Sequence, residues 1–195
     1  MVSKFRILVE SLLEGDKQVF DKETGYNISK DELYIYDILK EKYPNLIMSY
    51  TDDRIRNPNT NRKFQFDFYD PDSNTLMGYH KHWTHFSEKF NPDTPEHLED
   101  VKWLENKAKD NEFYKKTLNK WTVNDPLKHT LAKETGMNYI VWYNMKEFEN
   151  WLANPTLTYE EYKEPTSRQY DSDEYFDLKA QGYDSHGNDS DPYGV

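Results

Sequence analysis

The chain predicts an α/β fold, helices packed on both sides of a mixed β-sheet. Three observations lead there. Phe64, Phe66 and Phe68 alternate with Gln65, Asp67 and Tyr69, which is the period of a strand. The apolar run NYIVW at 138–142 has the length and β-rich composition of a buried strand. Between and around these lie segments with helix start and stop signals.

The elements follow in order. Residues 1–27 form an N-terminal extension whose apolar start, FRILVESLL, fits a short helix or a strand. Ser29 with Glu32 three residues on is a capping-box pattern. Leu33, Tyr36, Asp37 and Lys40 continue that helix, and Pro44 stops it. Residues 45–50 read as a short apolar strand, and 52–62, with Asn-Pro-Asn, as a polar loop. The alternating strand at 64–69 turns through Asp, Pro, Ser and Asn into a partner strand. Residues 94–119 hold one or two helices starting near Pro95. Asn124 and Asp125 precede a helix from Pro126, a good first-turn residue, to a C-terminal Gly136. After the 138–142 strand, Phe148, Trp151 and Leu152 have helical spacing within 142–155. The predicted domain is therefore 28–155.

The remainder, 156–195, is rich in Asp, Ser, Gly and Tyr and poor in aliphatics. It reads as an acidic, solvated tail. From Glu160 onward ten acids face three bases, which leaves −4 of the net −11 for the first 159 residues. There is no cysteine, which removes disulfides and Cys-based zinc sites and fits a reducing cytoplasm. No apolar run has the length of a membrane span, and no signal-peptide pattern opens the chain. Abundant Tyr and Phe, with five Trp, can build a core despite the modest aliphatic content.

The chemistry concentrates in the hairpin. Asp67 sits on its first strand, and His80, His82 and His85 follow the second. A carboxylate with imidazoles arriving from the partner strand can hold a hard metal ion and move protons beside it. That suits phosphodiester hydrolysis. Arg54, Arg56, Arg62, Lys63 and Lys81 lie close enough in sequence to form a local basic face for DNA phosphates, despite the overall charge. Plainer readings exist for each residue. Asp67 also fits a turn opening with Asp70 and Asp72, and Glu32 fits a simple capping residue. His82 shares strand parity with His80 and suits a rim or DNA contact. His97, His129 and His186 read as surface histidines, and Trp83 and Trp121 as core or wall residues.

Four pieces in order give the chain a resemblance to very-short-patch-repair endonucleases and phage homing-type endonucleases, within the restriction-endonuclease-like superfamily. They are the opening helix at 29–39 with Glu32, the FDFYDP strand with Asp67, the YHKHWTH segment, and WTVNDPLKHTLAKETGMNYIVW with Asp125 eleven residues before Gly136. The resemblance implies a three-layer core with a mixed sheet flanked by helices, and double-stranded DNA as partner. It implies Asp67 and the Tyr79 main-chain carbonyl as Mg2+ ligands. His80 and His85 would act at the scissile phosphate, and Glu32 would hold metal-bound water or position a histidine. Asp125 and Lys128 would support that machinery from behind. A phage or mobile-element origin would place the protein in the cytoplasm of a bacterial host.

The pattern also departs from the family. Many phage relatives carry Glu where this chain has Gly78, although the repair-type enzymes lack it as well. Tyr79 and Lys81 replace residues of the repair enzymes, and their cysteine zinc ligands are missing, so mismatch specificity is not expected. Two functions are consistent with the sequence. One is a Mg2+-dependent DNA endonuclease or nickase. The other is a catalytically degenerate protein on the same fold that binds a basic partner or a DNA-binding protein, in part through the acidic tail.

Overall fold

The computed structural model describes residues 19–20 and 27–163. Val19–Phe20 (β1) pairs antiparallel with Asn27–Ile28 (β2), a short ribbon ahead of the main domain. The first helix, α1 (Lys30–Lys42), opens as its sequence predicts. The Ser29 hydroxyl accepts the Glu32 amide, and the Glu32 carboxyl accepts the Ser29 amide.

The main sheet has the order β3 (Ile47–Arg56), β4 (Lys63–Asp70), β5 (Thr75–Tyr79), β6 (Asn138–Trp142). β3, β4 and β5 are antiparallel neighbours, while β6 runs parallel to β5. A parallel neighbour requires a long crossover. Here it contains α2 (Pro95–Lys107), α3 (Glu112–Asn119), a π-helical turn at Lys120–Asn124, and α4 (Asp125–Glu134). The chain then continues through α5 (Met145–Ala153) and α6 (Tyr159–Tyr162).

Two apolar clusters lie on opposite faces of the sheet. Adjacent residues Leu76 and Met77 belong to different clusters, as neighbours on a strand must when both faces are covered. Met77 joins Ile35 and Leu39 of α1 and Phe148 and Trp151 of α5. Leu76 joins Ala132 of α4 with Ile55, Phe64 and Phe66. Helices therefore cover both faces, giving an α/β architecture with a four-stranded mixed sheet. A third cluster, Phe86, Leu104, Tyr114 and Trp121, holds the crossover helices together.

Several expectations are corrected. β3 runs on to Arg56, through half of the predicted polar loop. Backbone pairing to β4, as far as Arg56 opposite Lys63, outweighs the polar composition, and Asp52–Arg54 and Asp53–Arg56 ion pairs neutralise the charge along it. The remaining turn is 57–62, where the Asn57 side chain accepts the Asn59 amide. The three phenylalanines of β4 are all buried but do not share a face. Phe64 and Phe66 pack in the α4-side cluster and Phe68 in the α1-side cluster. Opposite them, Tyr50 and Met48 divide in the same way. Both strands switch faces at the intervening Ser49 and Asp67, where Ser49 has a left-handed φ of 55°. The helix expected to start afresh near Asn124 is continuous with α3. Pro126 has no N–H to return to the preceding turn, and the chain widens into the π turn, with the Asp125 amide bonded to the Lys120 carbonyl. Gly136 ends α4 at φ 75°, as expected.

The domain also extends past Pro155. Thr158 and Glu161 form a second capping box. Tyr162 is buried, with its hydroxyl donating to the Val141 carbonyl at 2.8 Å. Lys163 pairs with Glu88 at 3.0 Å. The rest of the predicted tail, with His186, and most of the N-terminal extension lie outside the described residues. Among the described residues no helix is long and apolar enough to cross a membrane.

These contacts make α6 a structural element. Tyr162→Ala removes a buried ring and should cost about 3 kcal/mol in urea unfolding. Tyr34→Ala, at a 55 % exposed position, should change stability by less than about 0.5 kcal/mol. Equal stability of the two variants would show that α6 does not contribute to the core.

Candidate active site

The site lies at the carboxyl end of β5, where the first turns of α1 and α4 approach the sheet. Asp67 occupies the point where β4 switches faces. Regular pairing of β4 with β5 runs only from Asp70 back to Phe68. One residue further, the Asp67 carboxylate takes over from the backbone and accepts the Tyr79 amide at 2.6 Å. Asp67 is thereby fixed one residue from His80.

Glu32 reaches Asp67 from the first turn of α1, and the two carboxyls share a hydrogen bond. Burial, and then the neighbouring Asp67 charge, push Glu32 up to about 8. Burial also raises Asp67, opposed by the Tyr79 amide, Lys128 and the Glu32 hydrogen bond. Two carboxyls in contact cannot both ionise cheaply. The pair therefore holds one proton near neutral pH, on Glu32, which donates to Asp67. Glu32 is thus both the predicted capping residue and a member of the site.

β5 ends at Tyr79, and the next residues leave the sheet. The His80 amide still bonds to the Trp142 carbonyl at 2.8 Å, and Trp83–His85 forms a 3-10 turn. That turn brings His85 back over His80, so their rings stack at 3.9 Å and 18°. Asp125, projected inward by the π turn, accepts from His85 Nδ1 at 2.6 Å and lies 4.0 Å from His80 Nδ1. The Tyr139 hydroxyl lies 3.4 Å from His80 Nε2. All three of His80, His85 and Asp125 are buried. His80 Nδ1 and Asp125 Oδ1 are buried without a hydrogen-bond partner. Burial lowers both imidazoles well below the ordinary histidine range, with Lys120 and Lys128 adding to the effect. Both rings are neutral at pH 7.

Two groups could hold a metal ion. Ligand atoms of His80, His85 and Asp125 lie within 4.8 Å of one another, a donor set that suits transition metals. The stacked rings would have to splay before both nitrogens could point at one ion. The Glu32–Asp67 pair offers hard oxygen ligands, and its shared proton marks the place where a cation would relieve repulsion.

Gly78 has a local reason. A Cβ there would meet the Tyr139 hydroxyl at 3.0 Å and His80 Nε2 at 3.2 Å. The space that a Glu side chain would need at this position is filled by His80 and the tyrosine that contacts it.

The remaining predicted residues are dispersed. Lys128 lies over the Phe64 and Phe66 rings, and its charge acts on Asp67, His80 and His85 alike. His82 is exposed and contacts Thr84 at 3.0 Å, because the strand does not persist to carry it beside His80. Arg54 pairs with Asp52, Arg56 and Lys63 share Asp53, and Lys81 pairs with Asp31 at 2.6 Å. Arg62 is exposed in the 57–62 turn. His97 is a buried residue bonded to Glu88 at 3.2 Å and accepting the Asn91 amide, and His129 is half-buried against the Tyr139 ring. Neither is the surface histidine expected. Sequence reading missed Tyr139, whose contact with His80 depends on the parallel pairing of β6 with β5, and Lys120, which reaches Thr84 at 3.4 Å. No local motif announces either.

No protein-family model matches the chain, and no curated protein or solved structure matches it.

The Glu32 shift sets a pH dependence of stability. Folded, Glu32 keeps its proton up to about pH 8; unfolded, it ionises near its ordinary value of 4.5. Its contribution is therefore full below about pH 4.5 and is lost as pH rises through about 8. In EDTA, the wild-type Tm should fall between pH 5.5 and 8.5 by more than that of Glu32→Gln. Parallel curves for the two proteins would remove the shared proton from this site.

Proposed function

We propose that the protein is a magnesium-dependent DNA endonuclease or nickase on a restriction-endonuclease-like core, in keeping with its resemblance to very-short-patch-repair and phage homing-type enzymes. The observation that carries this reading is the meeting, at the adjacent residues Tyr79 and His80, of a proton-sharing carboxyl pair and a neutral imidazole pair anchored by a buried aspartate. Such a pairing of hard ligands with poised bases suits in-line hydrolysis of a phosphodiester.

The geometry supports a role for each residue in this reading. Glu32, Asp67 and the Tyr79 carbonyl would hold Mg2+, which supplies positive charge at the phosphate and acidifies bound water. His85 donates Nδ1–H to Asp125, which fixes its tautomer and leaves Nε2 as the proton acceptor for water. His80 Nε2 lies 3.4 Å from the Tyr139 hydroxyl, and its buried Nδ1 lies 4.0 Å from Asp125. The neutral His80 ring would assist the departing oxygen as a hydrogen-bonding group once the phosphate is bound. Lys128 and Lys120 place positive charge beside both groups, where the phosphate gains negative charge.

A second reading has one observation in its favour. Arg54, Arg56, Lys63 and Lys81, the expected DNA-facing cations, pair with this chain's own acids. That suits a degenerate nuclease fold serving as an interaction protein toward a basic partner or a DNA-binding protein. The buried, oriented histidines favour the enzyme.

Relaxation of supercoiled plasmid separates the two. The wild type should relax it with Mg2+ and not with EDTA. Asp67→Asn and His85→Ala should each lose about a hundredfold or more in rate while keeping the wild-type far-UV circular dichroism. Mg2+-independent relaxation, or undiminished rates in both variants, would overturn the assignment.

A further inference from the structure

Behind His80 lies a cavity of about 220 Å³ that the proposed chemistry does not use. Tyr139, Tyr143, Tyr159, Tyr162 and His129 line it, with Lys89 and Glu160. Two of these residues belong to the site as well. The Tyr139 hydroxyl meets His80 Nε2 at 3.4 Å, and the Tyr143 ring stands edge-on to His80 at 5.7 Å. A ligand in the cavity is therefore one side chain away from the reacting phosphate.

We infer that this cavity receives one unstacked nucleobase of the DNA strand whose phosphate lies at His80. The inference rests on the nuclease reading and adds to it how the strand is held. Five features favour a base. The volume is smaller than the several hundred Å³ of sites for drug-sized ligands, and suits a single base. Four tyrosines and a histidine line it, and aromatic side chains are the groups on which any base stacks. Lys89 and Glu160 are exposed and offer a donor and an acceptor to base edges. The buried Tyr159 hydroxyl takes a loose contact from the Lys89 main chain and has no close hydrogen-bond partner, so its own proton is left for a ligand to engage. His129 is half-buried and held neutral, lowered to about 4 by burial and then by Lys89, so the wall it forms carries no charge at pH 7. Taking a base out of a duplex costs stacking and pairing energy, and least where the base is already unpaired.

The test is binding in EDTA, where no cleavage occurs, followed by fluorescence anisotropy. One labelled duplex is fully paired, and the other is identical except for a single extra unpaired adenine. The wild type should bind the bulged duplex about tenfold more tightly, the order that stacking of one base provides. Glu160→Trp, at an exposed position, should fill the mouth and abolish the preference without disturbing the fold. Tyr159→Leu should reduce it by removing one wall. Equal affinity of the wild type for the two duplexes, with both bound, overturns the pocket and leaves the nuclease reading intact. A preference that survives in Glu160→Trp also overturns it. Failure to bind either duplex overturns the nuclease reading and the pocket together.

Discussion

The hydrogen bond from the Tyr79 amide to the Asp67 carboxylate is the constraint on which the rest of the site depends. It stands where a backbone carbonyl would stand in a regular ladder, just past the last Phe68–Met77 pair. A side chain in that place lets β4 switch faces without leaving the β5 amide unpaired, which would be costly in a buried strand. The same bond sets Asp67 next to His80 and within reach of Glu32. The fold thus gains a satisfied strand end, and the site gains a fixed carboxylate.

The imidazole side depends on a second local irregularity. Pro126 cannot donate to the preceding turn, and the Lys120–Asn124 π turn takes up the mismatch. π turns inside helices often occur at functional sites. Here the turn feeds directly into buried Asp125, which holds His85 at 2.6 Å. Parallel pairing of β6 with β5 then brings Tyr139 against His80 from the other side. Each histidine is held by a residue distant in sequence, and burial keeps both neutral.

Much of this was legible in the sequence where the signal is local. The Ser29–Glu32 capping box, the start at Pro95, the Gly136 stop and the 138–142 strand all rest on neighbours within a few residues. Asp67, His80 and His85 stood out in the hairpin, a carboxylate on one strand and histidines after the next, while the resemblance added Glu32 and Asp125; the structure brings all five into one region. What escaped depends on tertiary contacts. The split of the phenylalanines between two faces requires the irregularity at Ser49, which no strand period encodes. The length of β3 reflects pairing to β4, stronger than its polar composition suggests. The expected basic face was read from clustered Arg and Lys without weighing the neighbouring Asp52 and Asp53, or Asp31, which the fold brings to Lys81. His97 and His129 were read as surface residues because their partners lie on other elements. The end of the domain was placed at Pro155, since Tyr162 sits in a polar sequence and is buried only by tertiary contacts with β6 and α5.

If Glu32 and Asp67 share one proton, a hard divalent ion bound between them must displace it. Isothermal titration of Mg2+ into the protein at pH 7, repeated in buffers of different ionisation enthalpy, counts the protons released on binding. Release of about one proton per ion is predicted for the wild type, because a group near 8 is largely protonated at that pH, and almost none for Glu32→Gln. Magnesium binding with no proton release, or no binding at all, would contradict the account.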